Sequence, residues 1–117
     1  MRTMLPGLAM LGCAGLIAVA GLARADDSEK EALYSRYHQA IEAAKLCRDM
    51  SFDQPAHDRM AGVIAERVKH DIGAKRLPLL TAAQRDVQAI VDKQGCGDSR
   101  IAELLTLFDA ELAPALQ

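Results

Sequence analysis

Two cysteines, Cys47 and Cys96, constrain the fold of this 117-residue chain more than any other feature of its sequence. A third, Cys13, lies in an apolar N-terminal stretch that we expect to be removed. An even number of cysteines in an exported chain is typical of a disulfide, and this one would close a loop of about 50 residues. The chain-entropy model gives such a bridge roughly 4 kcal/mol of stabilisation. Two free thiols that bind a metal are the alternative.

The N-terminal segment has the pattern of a secretory signal peptide. An Arg near the start precedes a long apolar stretch, which ends in the small-x-small sequence Ala23-Arg24-Ala25. We therefore predict cleavage between Ala25 and Asp26, so that residues 1–25 are the signal peptide and residues 26–117 form a single domain. The predicted location is the periplasm, without stable membrane insertion after cleavage. An uncleaved membrane anchor and a lipid attached to Cys13 are the alternatives.

The charge of the mature domain excludes some classes of partner. Without Arg2 and Arg24, the 14 Lys and Arg residues fall to 12 against 16 Asp and Glu, which gives a net charge of −4 over 92 residues. A mildly acidic chain with mixed signs does not attract nucleic acid. Apart from the short sequence Ala74–Arg76, the domain has no Lys/Arg cluster that would bind anionic lipid. With no Trp, two Tyr and two Phe, the core is expected to be marginal.

The spacing of the apolar residues predicts helices throughout the mature domain. Four segments, at roughly 28–50, 55–72, 81–95 and 98–114, have apolar residues every three or four positions. A chain break at Pro78 is expected to separate the second helix from the third, which would begin with a capping box formed by Thr81 and Gln84. We predict an all-α fold: a small antiparallel four-helix bundle, stapled by one disulfide, with both cysteines at the same pole.

The stretch LCRDMSFDQPAHDRM, at positions 46–60, contains side chains that bind soft metal ions. Met50, His57 and Met60 could hold copper or nickel, and His57 and Met60 lie three positions apart. The same residues also have a structural explanation, because Met60 falls in an apolar stripe and His57 in the first turn of a helix. We expect no metal and no other cofactor, and the metal site is the alternative.

Catalytic motifs are not found in the sequence. It contains no Gly-x-Ser-x-Gly elbow, no His-Glu-x-x-His pair and no phosphate-binding glycine loop. A helical domain of this size with few aromatic residues rarely forms a deep cleft. We therefore do not expect an enzyme.

Two resemblances point to stress proteins. The sequence LTAAQ at Leu80–Gln84 matches the Leu-Thr-x-x-Gln motif of the Spy/CpxP family of periplasmic stress proteins, helical proteins that include chaperones and metal-responsive regulators. The match covers these residues alone, and the nearest second candidate, LTLFD, lacks the Gln. The layout also resembles that of the HdeA/HdeB acid-stress chaperones, small exported helical proteins with one disulfide. That family lacks the long helix that is predicted here before Cys47.

These observations together predict a small exported protein that acts through protein–protein interaction. A stress-related, chaperone-like role is the favoured specific function, with a homodimer as one form of the interaction. Tyr34 and Leu107, beside the apolar stripes of the first and fourth helices, are the candidate interaction residues. One alternative is a periplasmic metal-binding protein that uses His57 with Met50 and Met60. Another is an inhibitor or immunity protein for one specific enzyme.

Overall fold

A computed structural model describes residues 27–69 and 71–117, and its regular structure there is entirely helical. The predicted cleavage site, Ala23, Ala25 and Asp26, lies outside the described residues. Helix α1 covers residues 27–47, and the other α-helices are α2 (Gln54–Val68), α3 (Arg76–Gln94) and α4 (Ser99–Leu107). A 3₁₀ turn, Gly73–Lys75, precedes α3, and α4 continues into a π turn, Phe108–Leu112, and a 3₁₀ turn, Ala113–Leu116. The prediction of an all-α fold is confirmed.

Helix α1 lies at the centre of the domain and is buried around most of its circumference. Its buried side chains are Tyr34, Tyr37, Ala40, Ile41, Ala43 and Ala44. The three alanines have no exposed surface, and their small side chains let neighbouring helices approach the α1 backbone closely. Helices α2 and α3 are fully described, and no Cα of one lies within 8 Å of a Cα of the other. Residues of α2 lie beside Tyr34 and His38 of α1, and residues of α3 lie beside Arg36 and Gln39, so both helices pack against α1.

Contacts at one end of the domain fix the directions of the first three helices. Lys30 Nζ, near the start of α1, donates a hydrogen bond of 3.1 Å to the carbonyl of Val68, the last residue of α2. Lys75 Nζ, just before α3, lies 3.0 Å from Glu31 Oε2. Helix α2 therefore ends, and α3 begins, beside the start of α1. The first three helices alternate in direction, as in an up-down bundle.

The predicted disulfide joins Cys47 and Cys96 at the opposite end, with the two Cα atoms 5.7 Å apart. Cys47 is the last residue of α1, and Cys96 lies in the turn between α3 and α4. The bridge links positions 49 residues apart, so it ties the end of the central helix to the α3–α4 turn. We call this the disulfide end, and the end with residues 27–31 of α1 the open end.

The segment that follows α4 packs across α1 and is held by polar contacts. Glu111 Oε1 accepts hydrogen bonds from the Tyr37 hydroxyl at 2.7 Å and from Arg67 Nε at 2.8 Å. This carboxylate therefore connects the C-terminal segment with α1 and α2. Asp109 pairs with both terminal nitrogens of Arg48, one of them at 2.9 Å. Phe108 and Leu112 of the same segment are buried in the core.

The second helix is shorter than the sequence predicts. It ends at Val68, and not near residue 72, because Lys69 takes a left-handed backbone conformation with φ of 51°. Such a residue commonly terminates a helix, although glycine usually occupies the position. At the other end, the Asp53 carboxylate accepts a 2.9 Å hydrogen bond from the backbone N–H of Ala56. Asp53 is thus the N-cap of α2.

The third helix begins earlier than predicted, and the predicted capping box was wrong. Helix α3 starts at Arg76, so Thr81 and Gln84 lie within it and not at its N-terminus. Pro78 was expected to break the chain into two helices, but it is the third residue of α3. The backbone N–H groups of the first turn have no intrahelical partner, so a proline there removes no hydrogen bond.

We predict that Cys96→Ala will lower the free energy of unfolding by roughly 2–5 kcal/mol, because the bridge closes a long loop. Thermal unfolding followed by circular dichroism will measure the effect. Reduction of the wild type should lower its melting temperature by a similar amount, and Cys47→Ala should behave like Cys96→Ala. A wild-type melting temperature that does not change on reduction would show that the bridge contributes nothing to stability.

Candidate functional site

A cavity of about 320 Å³ lies between α1 and α2 at the open end. This volume is near the lower limit of small-molecule pockets, which range over about 300–1,000 Å³. Its lining combines an apolar part with three polar side chains. The apolar part is Ala61, Ile64, Ala65, Val68 and Ile72, and the polar side chains are Tyr34 and His38 of α1 and Arg76 of α3.

His38 is the most strongly perturbed group of this cavity. Its imidazole packs on the ring of Tyr34, with the ring centroids 4.6 Å apart and the planes tilted by 54°. Burial lowers the pKa of His38 to about 4, and repulsion from the imidazole of His57 on α2 adds to the effect. His38 is therefore neutral near pH 7, with one ring nitrogen as a donor and the other as an acceptor.

The charge of Arg76 acts on Tyr34 across the cavity. Burial raises the pKa of the Tyr34 phenol, and the positive charge of Arg76 lowers it in part. The phenol therefore keeps its proton near pH 7 and can donate a hydrogen bond. Arg76, the first residue of α3, is exposed and always cationic. The cavity thus combines one cation with two neutral polar groups.

The two candidate interaction residues occupy different environments. Tyr34 is 9% exposed and lines the cavity. Leu107 is half-buried and packs against the core. The large apolar side chain that projects into solvent from the described residues is Leu77, which is 69% exposed. Leu77 is not among the predicted interaction residues, because a chain break at Pro78 would place it in a loop between the second and third helices. Its helical spacing to Leu80 was the signal that could have revealed it.

The candidate metal ligands are in three different environments. Met60 is fully buried in the core, and Met50 is half-buried against it. His57 is exposed at the start of α2, with its ring centroid 6.0 Å from that of Phe52. No group of three or more His, Cys, Asp or Glu side chains within the described ranges could hold a metal ion. The burial of Met60 fits its structural explanation, and the copper or nickel site stays a hypothesis.

Comparison with known proteins gives no relative: no family model matches the chain, and neither does any curated protein or solved structure. Among the helices of the described part, none is long and apolar enough to span a bilayer. Function is therefore inferred from the chain's own side chains.

We predict that His38 makes the domain less stable as the pH falls from about 6.5 to about 4. Since the folded pKa lies below the ordinary value of 6.5, the unfolded chain binds this proton first in that window. The stabilisation is complete above pH 6.5 and is lost as the pH approaches 4. The loss should be roughly 2–3 kcal/mol, at about 1.4 kcal/mol per pKa unit and reduced for partial exposure.

Urea unfolding at several pH values in this window will measure that slope. His38→Gln, which carries no titrating group, should have a flatter pH dependence than the wild type. His57→Gln, at an exposed position, should keep most of the wild-type slope. An unchanged slope in His38→Gln would show that another group causes the acid sensitivity.

Proposed function

We propose that this chain is an exported protein that binds other proteins, with a chaperone-like role under stress as its specific function. The observation that carries the proposal is an apolar surface at the start of α3, formed by Leu77, Pro78 and Leu80. Leu77 is 69% exposed, Pro78 is exposed and Leu80 is half-exposed. Leu77 and Leu80 are three positions apart, so they lie on one side of the helix. We call this the α3 apolar surface.

The α3 apolar surface belongs to a weakly packed part of the domain. Helix α3 has 19 residues, and its buried side chains are Ala83 and Val87, both beyond this surface. No Cα of α2 lies within 8 Å of an α3 Cα, so α2 does not cover the first turns of α3. A segment with few buried apolar contacts opens at low free energy. The surface is thus suited to adapt to partners of different shape.

The surroundings of this surface favour a partner that presents apolar and acidic side chains. Lys75 and Arg76 are exposed and directly precede Leu77. Lys75 forms an ion pair with Glu31, at side-chain exposures of 67% and 24%. Exposed pairs of this kind contribute little to stability, so a partner's carboxylate could compete for Lys75 at small cost.

Export is supported by the disulfide and by the sequence of the first 25 residues. Disulfides persist in oxidising compartments such as the bacterial periplasm. The N-terminal apolar stretch and Ala23-Arg24-Ala25 have the pattern of a cleaved signal peptide. Mass spectrometry of exported protein should find Asp26 at the N-terminus. An intact Met1 in the membrane fraction would contradict the proposed export.

We predict that the mature protein suppresses the aggregation of a heat-unfolded model enzyme and that Leu77→Ser weakens this effect about tenfold or more. The reason is that burial of a leucine side chain against a client contributes roughly 1.5–3 kcal/mol. Light scattering at increasing ratios of protein to enzyme measures the effect. Leu77 is exposed, so the substitution should change the free energy of unfolding by no more than about 0.5 kcal/mol.

Ala102→Ser is the matched control, because Ala102 is exposed on α4 and outside the α3 apolar surface. It should suppress aggregation like the wild type. A wild type that does not suppress aggregation, or a fully active Leu77→Ser variant, would contradict the proposal. A pull-down from periplasmic extract separates the remaining alternative: many unfolded clients indicate a chaperone, and one stoichiometric partner indicates an inhibitor or a subunit.

A further inference from the structure

The part of the cavity contributed by α2 and the segment after it is hydrocarbon. Ile64, Val68 and Ile72 are buried and form its inner side. Ala61 and Ala65, one turn apart on α2, are exposed at its rim. Because these rim side chains are small, they leave the space between α1 and α2 open to solvent. A ligand that enters between them meets Ile64, Val68 and Ile72, which are 3%, 2% and 8% exposed, so the side chains around the cavity shift slightly when it contacts this wall.

The polar side of the cavity is cationic. Arg76 is its charged group, whereas Tyr34 and His38 are neutral near pH 7. None of the described residues that line the cavity has a carboxylate. The Tyr34 hydroxyl, the His38 ring and the Arg76 guanidinium offer a cation and neutral donors within one small space. A carboxylate prefers such partners, since its hydrogen bonds to charged donors are the strongest.

We infer that this cavity is a binding site for a single-chain anionic amphiphile, namely a medium-chain carboxylate of the size of octanoate or decanoate. The alkyl chain lies along Ile64, Val68 and Ile72, and the carboxylate faces Arg76 and the Tyr34 hydroxyl. A volume of about 320 Å³ holds roughly ten groups of the size of water, at about 30 Å³ each. That space matches one chain of this length and excludes a lipid with two long chains.

Calorimetric titration of the mature protein with octanoate, decanoate and octan-1-ol, below their micelle or solubility limits, tests the inference. Decanoate should bind about tenfold more tightly than octanoate, because its two additional methylenes bury more apolar surface. Arg76→Gln should weaken octanoate binding by about tenfold or more, since a hydrogen bond to a charged group is lost. The same variant should bind octan-1-ol like the wild type, because the alcohol has no charge to lose.

A second variant tests the location of the site. Ala65→Phe fills the rim of the cavity and should abolish the binding of both octanoate and the alcohol. Ala102→Phe introduces the same side chain on an exposed part of α4 and should leave binding unchanged. If thermal unfolding shows that Ala65→Phe does not fold, Ala61→Leu blocks the same rim with a smaller side chain.

The result that would overturn the inference is an absence of saturable octanoate binding at millimolar concentration. Octanoate binding that survives Ala65→Phe in a folded protein would also overturn it, and so would an Arg76→Gln variant that weakens octanoate and octan-1-ol equally. Leu77→Ser should bind octanoate like the wild type, because Leu77 does not line the cavity. If Leu77→Ser loses client binding but still binds octanoate, the cavity and the α3 apolar surface act independently. Failure of one proposal can then be distinguished from failure of the other.

Discussion

The close approach of other segments to α1 is the constraint on which the rest of the structure depends. Ala40, Ala43 and Ala44 have no exposed surface, and at spacings of three and four residues they lie on one side of the helix. Their small volume lets neighbouring segments approach the α1 backbone closely on that side. A larger side chain there would separate these segments or force strained rotamers, and overpacking of this kind typically costs about 1–3 kcal/mol. The domain therefore has its core around α1 rather than between α2 and α3.

The two ends of the domain differ in how firmly they are held. The disulfide end is held covalently by Cys47–Cys96. Arg48, the residue after Cys47, adds an ion pair with Asp109. In the middle, the Glu111 carboxylate accepts from Tyr37 and Arg67. Burial and this carboxylate raise the pKa of Tyr37 to about 12, so its hydroxyl stays a donor at all ordinary pH values.

The open end has no covalent restraint among the described residues. Its polar contacts between helices are the bond from Lys30 to the Val68 carbonyl, the exposed pair of Lys75 with Glu31 and, in the last turn of α2, the bond from Arg67 to Glu111. Both the cavity and the α3 apolar surface lie there. The segments of a protein that bind ligands or move are usually among its least stable parts. The open end fits this description, and the disulfide end holds the rest of the domain in place.

Much of the fold could be predicted from the sequence. The spacing of apolar residues indicates helices locally, and the even number of cysteines in the mature domain indicates one disulfide. The start of α3 could not be predicted, since Pro78 breaks a helix in its interior but not in its first turn. The Thr81–Gln84 pattern was equally ambiguous, because the same spacing occurs inside helices. The cavity was beyond sequence reasoning, since His38, Arg76 and Ala61 come together only through the packing of three separate segments.

Native-state hydrogen exchange most directly tests the claim that α1 is the fixed centre of the domain and the start of α3 is its least stable helical part. The backbone amides of Ala40, Ala43 and Ala44 should exchange only through global unfolding. Amides at residues 79–82 of α3 should exchange at least about tenfold faster, through local opening. Equal protection of the two segments, or faster exchange in α1, would contradict the central position of α1 and the adaptable character of the α3 apolar surface.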